Sequence, residues 1–279
     1  MKSEGSSPRH RLDGATHAHR LRMALDGFTG AQKDAFVGYS PPFAAAFLDA
    51  LDRLGRKIRV EVEGLDHLPP GRALLVANHA FSFDVGFAAA RIHAQTGRRV
   101  WALGEHAWWC FPGVRRLASA VGIVDGTPAN VDALLAADEL VLVLPGGLRE
   151  ALKPRELRYR LLWGHRYGFV NAAIRNAAPL VPLASLGGDD LFNLVGNAFA
   201  RARRLHLPFP LPRPAHLVPM PHVRALRFVL GEPIPVADVR LDGGERDDEH
   251  FARRLRREVE GAIHEIFEDE LARRAHFEA

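Results

Sequence analysis

The stretch Ala77-Asn78-His79-Ala80-Phe81-Ser82-Phe83-Asp84 ends a short apolar run and opens a helical one. Leu74, Leu75 and Val76 follow the turn residues Pro69-Pro70-Gly71 and predict a buried strand, while the residues from Asp84 to about Gln95 are helix formers. His79 therefore falls at the carboxyl end of a strand, just before a helix, where open α/β sheets place their ligand crevices. A carboxylate in the first turn of that helix is placed to accept a hydrogen bond from one imidazole nitrogen. Such a bond fixes the tautomer and leaves the other nitrogen free as a base. The spacing alone fits a capped helix start with an incidental histidine equally well, so the flanking segments have to decide. Ser82 reads as a helix-start residue rather than a nucleophile, because the chain has no G-x-S-x-G elbow.

Further strand patterns lie on either side. Ile58, Val60 and Val62 alternate as in an edge strand, and Val100 to Leu103, Leu140 to Leu144, Leu180 to Ala184 and Leu226 to Leu230 are short apolar runs. Between them, Thr127-Pro128 reads as an N-cap followed by proline at the first helical position, opening a helix to about Ala137, and residues 168–176 suggest a shorter one. Alternating strand and helix signals predict a single α/β domain with a central, mostly parallel mixed sheet flanked by helices. Amphipathic helices are expected at both ends. Leu21, Leu25 and Phe28, then Phe43, Phe47, Leu51 and Leu54, mark apolar faces before the core. Phe251, Leu255, Val259, Ile263, Ile266 and Leu271 recur at helical spacing after it. The resulting division is a disordered tail over 1–15, an N-terminal helical segment over 16–56, the α/β domain over 57–240, and a C-terminal amphipathic helix over 241–279 packing on that domain.

At 279 residues, with 47% hydrophobic and 25% charged residues, the composition is that of a folded globular chain, neither disordered nor integral to a membrane. No stretch reaches the ~18–20 uninterrupted apolar residues of a membrane-spanning helix, so any membrane contact is expected to be peripheral. The amino terminus lacks the apolar core of a secretory signal. The single cysteine, Cys110, cannot pair within the chain and is expected as a small buried apolar residue. Net charge is only +4, but Arg201, Arg203, Arg204 and His206 form one basic group and Arg253, Arg254, Arg256 and Arg257 another. Such groups suit anionic headgroups or phosphates; the second also suits a solvated helix face, with Glu258 and Glu260 beside it. Nucleic acid is not expected, since neither metal-finger spacing nor basic and aromatic interleaving is present. Phe192 to Arg204 is another amphipathic candidate, and Leu207 to Pro221 a proline-rich loop suited to rim an acyl-chain groove.

Two more strand-to-turn segments carry chemistry. Leu142-Val143-Leu144-Pro145-Gly146-Gly147-Leu148-Arg149-Glu150 has glycines where backbone approaches something closely, with a charged pair after them. Ala178-Pro179-Leu180-Val181-Pro182-Leu183 is a buried strand opened by proline. With the His79 segment, in this order and over about Gly64 to Ile234, these blocks resemble the glycerolipid or lysophospholipid acyltransferases, which carry an H-x4-D motif. The P-G-G-x-x-E form of the middle block looks like the diacylglycerol acyltransferase branch.

That resemblance implies an O-acyltransferase of lipid metabolism and phospholipid biosynthesis. Its acyl-CoA or acyl carrier protein would be a co-substrate rather than a cofactor, with a glycerolipid or lysophospholipid hydroxyl as acceptor. His79 is then the general base and Asp84 its orienting partner, with no acyl-enzyme. Asn78, Pro145, Gly146, Gly147, Arg149 and Glu150 are the expected substrate-binding residues, the glycines offering backbone N–H groups and Arg149 a charged fork. The chain departs from the family's P-E-G-T-R block at Gly146, and Gly122-Ile123-Val124-Asp125-Gly126-Thr127 lacks the arginine that ends the family's second block. Either another basic residue supplies the charge or the acceptor lacks phosphate. The expected location is cytoplasmic, peripheral on the inner membrane face, with no metal site: His264-Glu265 lacks a second histidine, and His79 and Asp84 lack a third ligand. His93 and His106 are expected to be structural. An amine or non-glycerol alcohol acceptor, and a catalytically silent lipid-binding module, are the alternative readings.

Overall fold

In the computed structural model, residues 38–80, 84–191, 226–236 and 245–278 are described. The tail over 1–15, the helix suggested by Leu21, Leu25 and Phe28, Ser82, the stretch 192–204 with the basic group ending at His206, and the proline-rich stretch 207–221 lie outside the described residues.

Among the described residues, seven strands form one sheet. They are β1 (Glu61–Glu63), β2 (Ala73–Ala77), β3 (Val100–Gly104), β4 (Ile123–Asp125), β5 (Leu140–Val143), β6 (Leu180–Leu186) and β7 (Arg227–Leu230). Their spatial order is β1-β7-β6-β2-β5-β3-β4, and every pair is parallel except β6 with β7. The expected α/β architecture with a mostly parallel mixed sheet is therefore the one observed. β2 is central and every residue in it is buried, as its unbroken apolar sequence requires of a strand covered on both faces. Leu75 stands in register with Leu142 on one side and Val181 on the other.

Alternation along β2 divides the core. Leu74 and Val76 pack into a cluster with Leu134, Phe169, Val170, Val259 and Ile263, whereas Leu75 and Ala77 pack with Val85, Ala88 and Ile92. The first layer is supplied by α4 (Pro128–Ala136), α6 (Gly168–Asn176) and α8 (Glu245–Glu278), the second by α2 (Val85–Thr96) backed by α1 (Pro41–Lys57). The Thr127 hydroxyl caps α4 by accepting from the Asn130 N–H at 3.3 Å, with Pro128 first in the helix. Glu249, Glu258 and Glu260 pair with Arg253, Arg254 and Arg256 one turn away on α8, so that basic group is largely neutralised on its own helix.

Two expectations are corrected. β4 was not among the strand patterns, because three residues between Gly122, at φ 89°, and Gly126 are too few to show a period. Cys110 is exposed rather than buried. The 3₁₀ turn His106–Cys110 packs the neighbouring Trp109 against Gly104, where a Cβ would lie 2.7 Å from the indole, and α3 (Pro112–Val121) then starts at the surface. Two further short helices among the described residues are α5 (Gly147–Ala151) and α7 (Gly188–Leu191).

Candidate active site

The carboxyl ends of β6, β2 and β5 lie side by side, and the residues singled out in the sequence gather there. Asn78 directly follows β2 and is fully buried. Its side chain acts as one more rung of the β2–β6 ladder: Oδ1 accepts from the Ser185 N–H at 2.6 Å and Nδ2 donates to the Ser185 carbonyl at 3.0 Å. Asn78 was expected to touch substrate, but both ends of its amide are taken by backbone, so it ties two strands together instead. The Ser185 hydroxyl donates onward to Asp84 Oδ2. Nothing local in the sequence pairs Ser185 with Asp84. The available signal was a lone hydroxyl in an otherwise apolar strand, which has to find a partner once buried. A Cβ on Gly188 would lie 2.5 Å from the Ala80 Cβ and 2.9 Å from Asp84 Oδ2, so Asp84 stands beside the residue that follows His79 and the space behind it admits only glycine.

His79 is 9% exposed. Its main-chain N–H donates to Glu150 Oε1 at 2.7 Å, while the ring nitrogen Nδ1 is buried and has no hydrogen-bond partner among the described residues. Burial pushes its pKa down to about 4. The backbone at Ala80 opposes this and the Lys153 charge adds to it, so the ring is neutral at pH 7. Asp84 is also buried, and its Oδ1 has no hydrogen-bond partner among the described residues. Burial raises its pKa to about 6 against the Ser185 hydrogen bond. The direct His79–Asp84 hydrogen bond expected from the five-residue spacing is thus not made here. A buried imidazole nitrogen and a buried carboxylate oxygen, complementary in kind, are each left without a partner.

Glu150 also differs from its expected part. It is fully buried rather than facing substrate, with Oε1 on the His79 N–H and Oε2 accepting from the Leu162 N–H at 2.7 Å. Burial raises its pKa to about 7, opposed first by the Lys153 charge and then by those two N–H groups. Lys153 is itself buried and ion-paired with buried Asp189 at 2.9 Å, and Asp189 accepts from the Tyr159 N–H at 2.8 Å. A charged network thus underlies the β5 turn and holds the backbone of His79 from below.

The two glycines of the turn serve this packing. A Cβ on Gly146 would collide with the Glu150 carboxylate folded beneath it. Gly147 has φ 53°, and a Cβ there would lie 2.6 Å from Arg166 Nη1. The Gly147 N–H donates to the Leu144 carbonyl at 3.0 Å, so it is not free to hold a substrate phosphate. Pro145 is buried and its carbonyl accepts from Arg166 Nη1 at 2.7 Å; Arg149 is exposed at the surface of the turn. Among the described residues no three His, Cys, Asp or Glu side chains group closely enough to hold a metal ion. A third acid raised by burial, Glu139, pushed up to about 7, lies just before β5 at the amino ends of the strands and belongs to no part of this site.

Residues 59–186, which span the His79 segment, the β5 turn and β6, match a family model described as Acyltransferase. An uncharacterized protein of Mycobacterium tuberculosis is 34% identical over 238 residues, covering 78% of this chain and 66% of that protein. A Mus musculus protein described as DGAT1/2-independent enzyme synthesizing storage lipids is 30% identical over 186 residues, covering 63% of this chain and 52% of the mouse protein. The chain thus spans between half and two thirds of the length of these relatives. Among solved structures, the 1-acyl-sn-glycerophosphate (LPA) acyltransferase from Thermotoga maritima is similar with a TM-score of 0.46 and 14% identity, covering 90% of this chain and 93% of that one.

Proposed function

The chain belongs to the glycerolipid acyltransferase family, and from that premise we propose that it moves a fatty acyl group from a thioester, acyl-CoA or acyl carrier protein, to the hydroxyl of a glycerolipid or lysophospholipid. The observation that carries this reading is His79, a buried, neutral imidazole at the carboxyl end of the central strand with Asp84 beside the next residue. His79 takes the proton of the acceptor hydroxyl as its oxygen attacks the thioester carbonyl. The C–S bond then breaks, and the departing thiolate recovers that proton from the imidazolium as free thiol. The unpartnered Nδ1 of His79 and Oδ1 of Asp84 close into a hydrogen bond as the imidazolium forms, so the positive charge is not buried alone. No acyl-enzyme is required; trapping a covalent acyl adduct on the protein would overturn direct transfer. The name of the mouse relative, an enzyme synthesizing storage lipids, supports a glyceride among the acceptors.

The decisive assay is thiol release from long-chain acyl-CoA, and separately from acyl carrier protein, by the purified chain with pooled lysophospholipids and glycerides, the product being weighed by mass spectrometry. Acceptor-dependent release with a new ester is the expected result. Amide formation would move the acceptor class to amines, and lipid binding without release from either donor would leave a binding module.

The same reading places the protein at a membrane surface. No helix among the described residues is long and apolar enough to cross a membrane. However, Phe43, Phe47, Leu54 and Ile58 project from one side of α1, and Phe111, Val114 and Leu117 are exposed on or beside the adjoining α3. Arg53, Arg56, Lys57, Arg115 and Arg116 are exposed on the same two helices, a composition suited to an anionic bilayer. Leu51 and Gly55 of α1 adjoin Gly86 and Phe87, within a turn of Asp84, so bound lipid would lie near the site. Replacing Phe43 and Phe47 by serine is expected to weaken flotation with anionic vesicles by at least about tenfold while leaving the melting temperature within a few degrees. Unchanged flotation would remove this face from the proposal.

A further inference from the structure

Ser185 is fully buried in β6, a strand whose other residues are all apolar. Alternation along β6 puts its side chain on the face of Val181 and Leu183, the face that α2 covers, and Asp84 is the residue that precedes α2. A small apolar residue would fill the same place, so packing alone does not account for the hydroxyl. The main chain of Ser185 is held on the β2 side by the Asn78 amide and on the β7 side by its register with Phe228. With the backbone fixed, a single side-chain rotor aims the hydroxyl at Asp84 Oδ2. A Cβ on Gly188 would lie 2.9 Å from that oxygen and 3.3 Å from the Ser185 Oγ, so this contact is walled in. Among the described residues no other side chain hydrogen-bonds Asp84, and its Oδ1 is left open.

We propose that Ser185 is a positioning residue for acyl transfer: by holding Oδ2 it fixes the plane of the Asp84 carboxylate and reserves Oδ1 for the His79 ring. The inference rests on the acyl-transfer reading and adds to it a residue 101 positions from Asp84 that touches no substrate. The hydroxyl acts in two ways. A carboxylate free to turn would meet the imidazole at varying angles, whereas one bonded at Oδ2 does not. A donor also favours the charged form of a buried acid. Burial pushes the Asp84 pKa up to about 6, and the Ser185 hydrogen bond is the largest effect opposing that rise. The charge of Asp189, itself ion-paired with Lys153 at 2.9 Å, pushes Asp84 up as well. His79, with Glu150 behind it on its main-chain N–H, is neutral in that range and brings no charge.

The experiment compares the full-length protein with Ser185→Ala, Ser185→Thr, Asp84→Asn and the double variant that joins Ser185→Ala to Asp84→Asn. Acyl transfer is followed as kcat and KM across pH beside melting temperatures, and the Asp84 carboxyl is titrated by NMR, its signal identified by its absence in Asp84→Asn. Loss of a hydrogen bond to a charged group predicts that Ser185→Ala moves the acid limb of kcat/KM up by about one to two pH units. At pH 6 kcat should fall at least about tenfold, with KM changed less than about threefold because Ser185 touches no substrate. Ser185→Thr keeps the hydroxyl and should restore the limb; where its methyl crowds Gly188 and lowers the melting temperature, the carboxyl titration and the double variant carry the test. In the Asp84→Asn background Ser185→Ala should cost less than about twofold, since the serine acts through the carboxylate. A limb that stays in place in Ser185→Ala, or an equal loss with and without Asp84, would make the serine a packing residue and overturn the proposal. If the wild type transfers no acyl group, the acyl-transfer reading fails and the NMR titration still decides Ser185. An upward shift in Ser185→Ala then supports its hold on Asp84, and an unmoved titration overturns it.

Discussion

Replacing His79 by alanine is expected to lower acyl transfer by about a hundred- to ten-thousandfold, the usual contribution of a positioned general base, with no comparable loss of stability. The fold should survive because the group of His79 that the structure uses is its main-chain N–H, bonded to Glu150, and alanine keeps it. Circular dichroism and a urea titration beside the assay check that point. The pH profile tests the partner. With His79 pushed down to about 4 and Asp84 pushed up to about 6, both by burial, the imidazole is ready to accept a proton across the neutral range while the carboxylate ionises only above about pH 6. If the imidazolium formed during transfer needs an ionised Asp84, kcat/KM should rise through pH 6 and stay level to pH 8. In Asp84→Asn that rise should disappear, with turnover low throughout. An acid limb near pH 4 in the wild type, kept in Asp84→Asn, would remove Asp84 from the proton's path. A His79→Ala protein retaining a tenth of wild-type turnover would remove His79 as the base.

The fold was legible wherever a run of residues is buried on both faces, since such a run is continuous and apolar: β2, β5 and β6 stand out for that reason. β4 did not, being three residues between glycines. For the site, the strand-to-helix position of His79 and Asp84 was readable because both residues sit at ends of local elements. Their surroundings were not. Glu150 and Asn78 turn inward because their partners are His79 itself, Leu162 and Ser185, and the last lies 107 positions away from Asn78. Spacing within one element carries no information about such partners. Arg166 escaped notice for the same reason, its anchor being a carbonyl 21 positions earlier. Reading P-G-G-x-x-E as a substrate loop gave no sign of what its glycines pack against. In the folded protein Gly146 makes room for a buried carboxylate and Gly147 for a guanidinium.

Glu150→Ala should accordingly be the most damaging change outside the base, and on both stability and turnover. It leaves the buried N–H of His79 and the part-buried N–H of Leu162 without acceptors, at about 1–3 kcal/mol for the buried one and less for the other, and opens a cavity under the turn. The segment bearing His79 loses its lower support, so turnover should fall more than tenfold even at temperatures where the variant stays folded. Glu150→Gln keeps the shape and one acceptor oxygen, and should fall between the two in melting temperature and activity. The acid also gives a distinctive pH signature. Its folded value of about 7 lies above the 4.5 of an unburied glutamate. The stability supplied by the neutral form is therefore complete below about pH 4.5 and is lost as pH rises through 7, a change of about 3 kcal/mol. His79, with a lowered value, contributes in the opposite sense, losing stability as pH falls from 6.5 toward 4. The difference between wild type and Glu150→Gln removes that background, since the glutamine cannot ionise. Urea unfolding at pH 5.5 and pH 8 should show the wild type losing more stability toward pH 8 than Glu150→Gln does. Parallel losses in the two proteins would mean that the two N–H groups and the Lys153 charge hold Glu150 ionised throughout, and Glu150→Ala turnover within twofold of wild type would show that His79 is positioned without it.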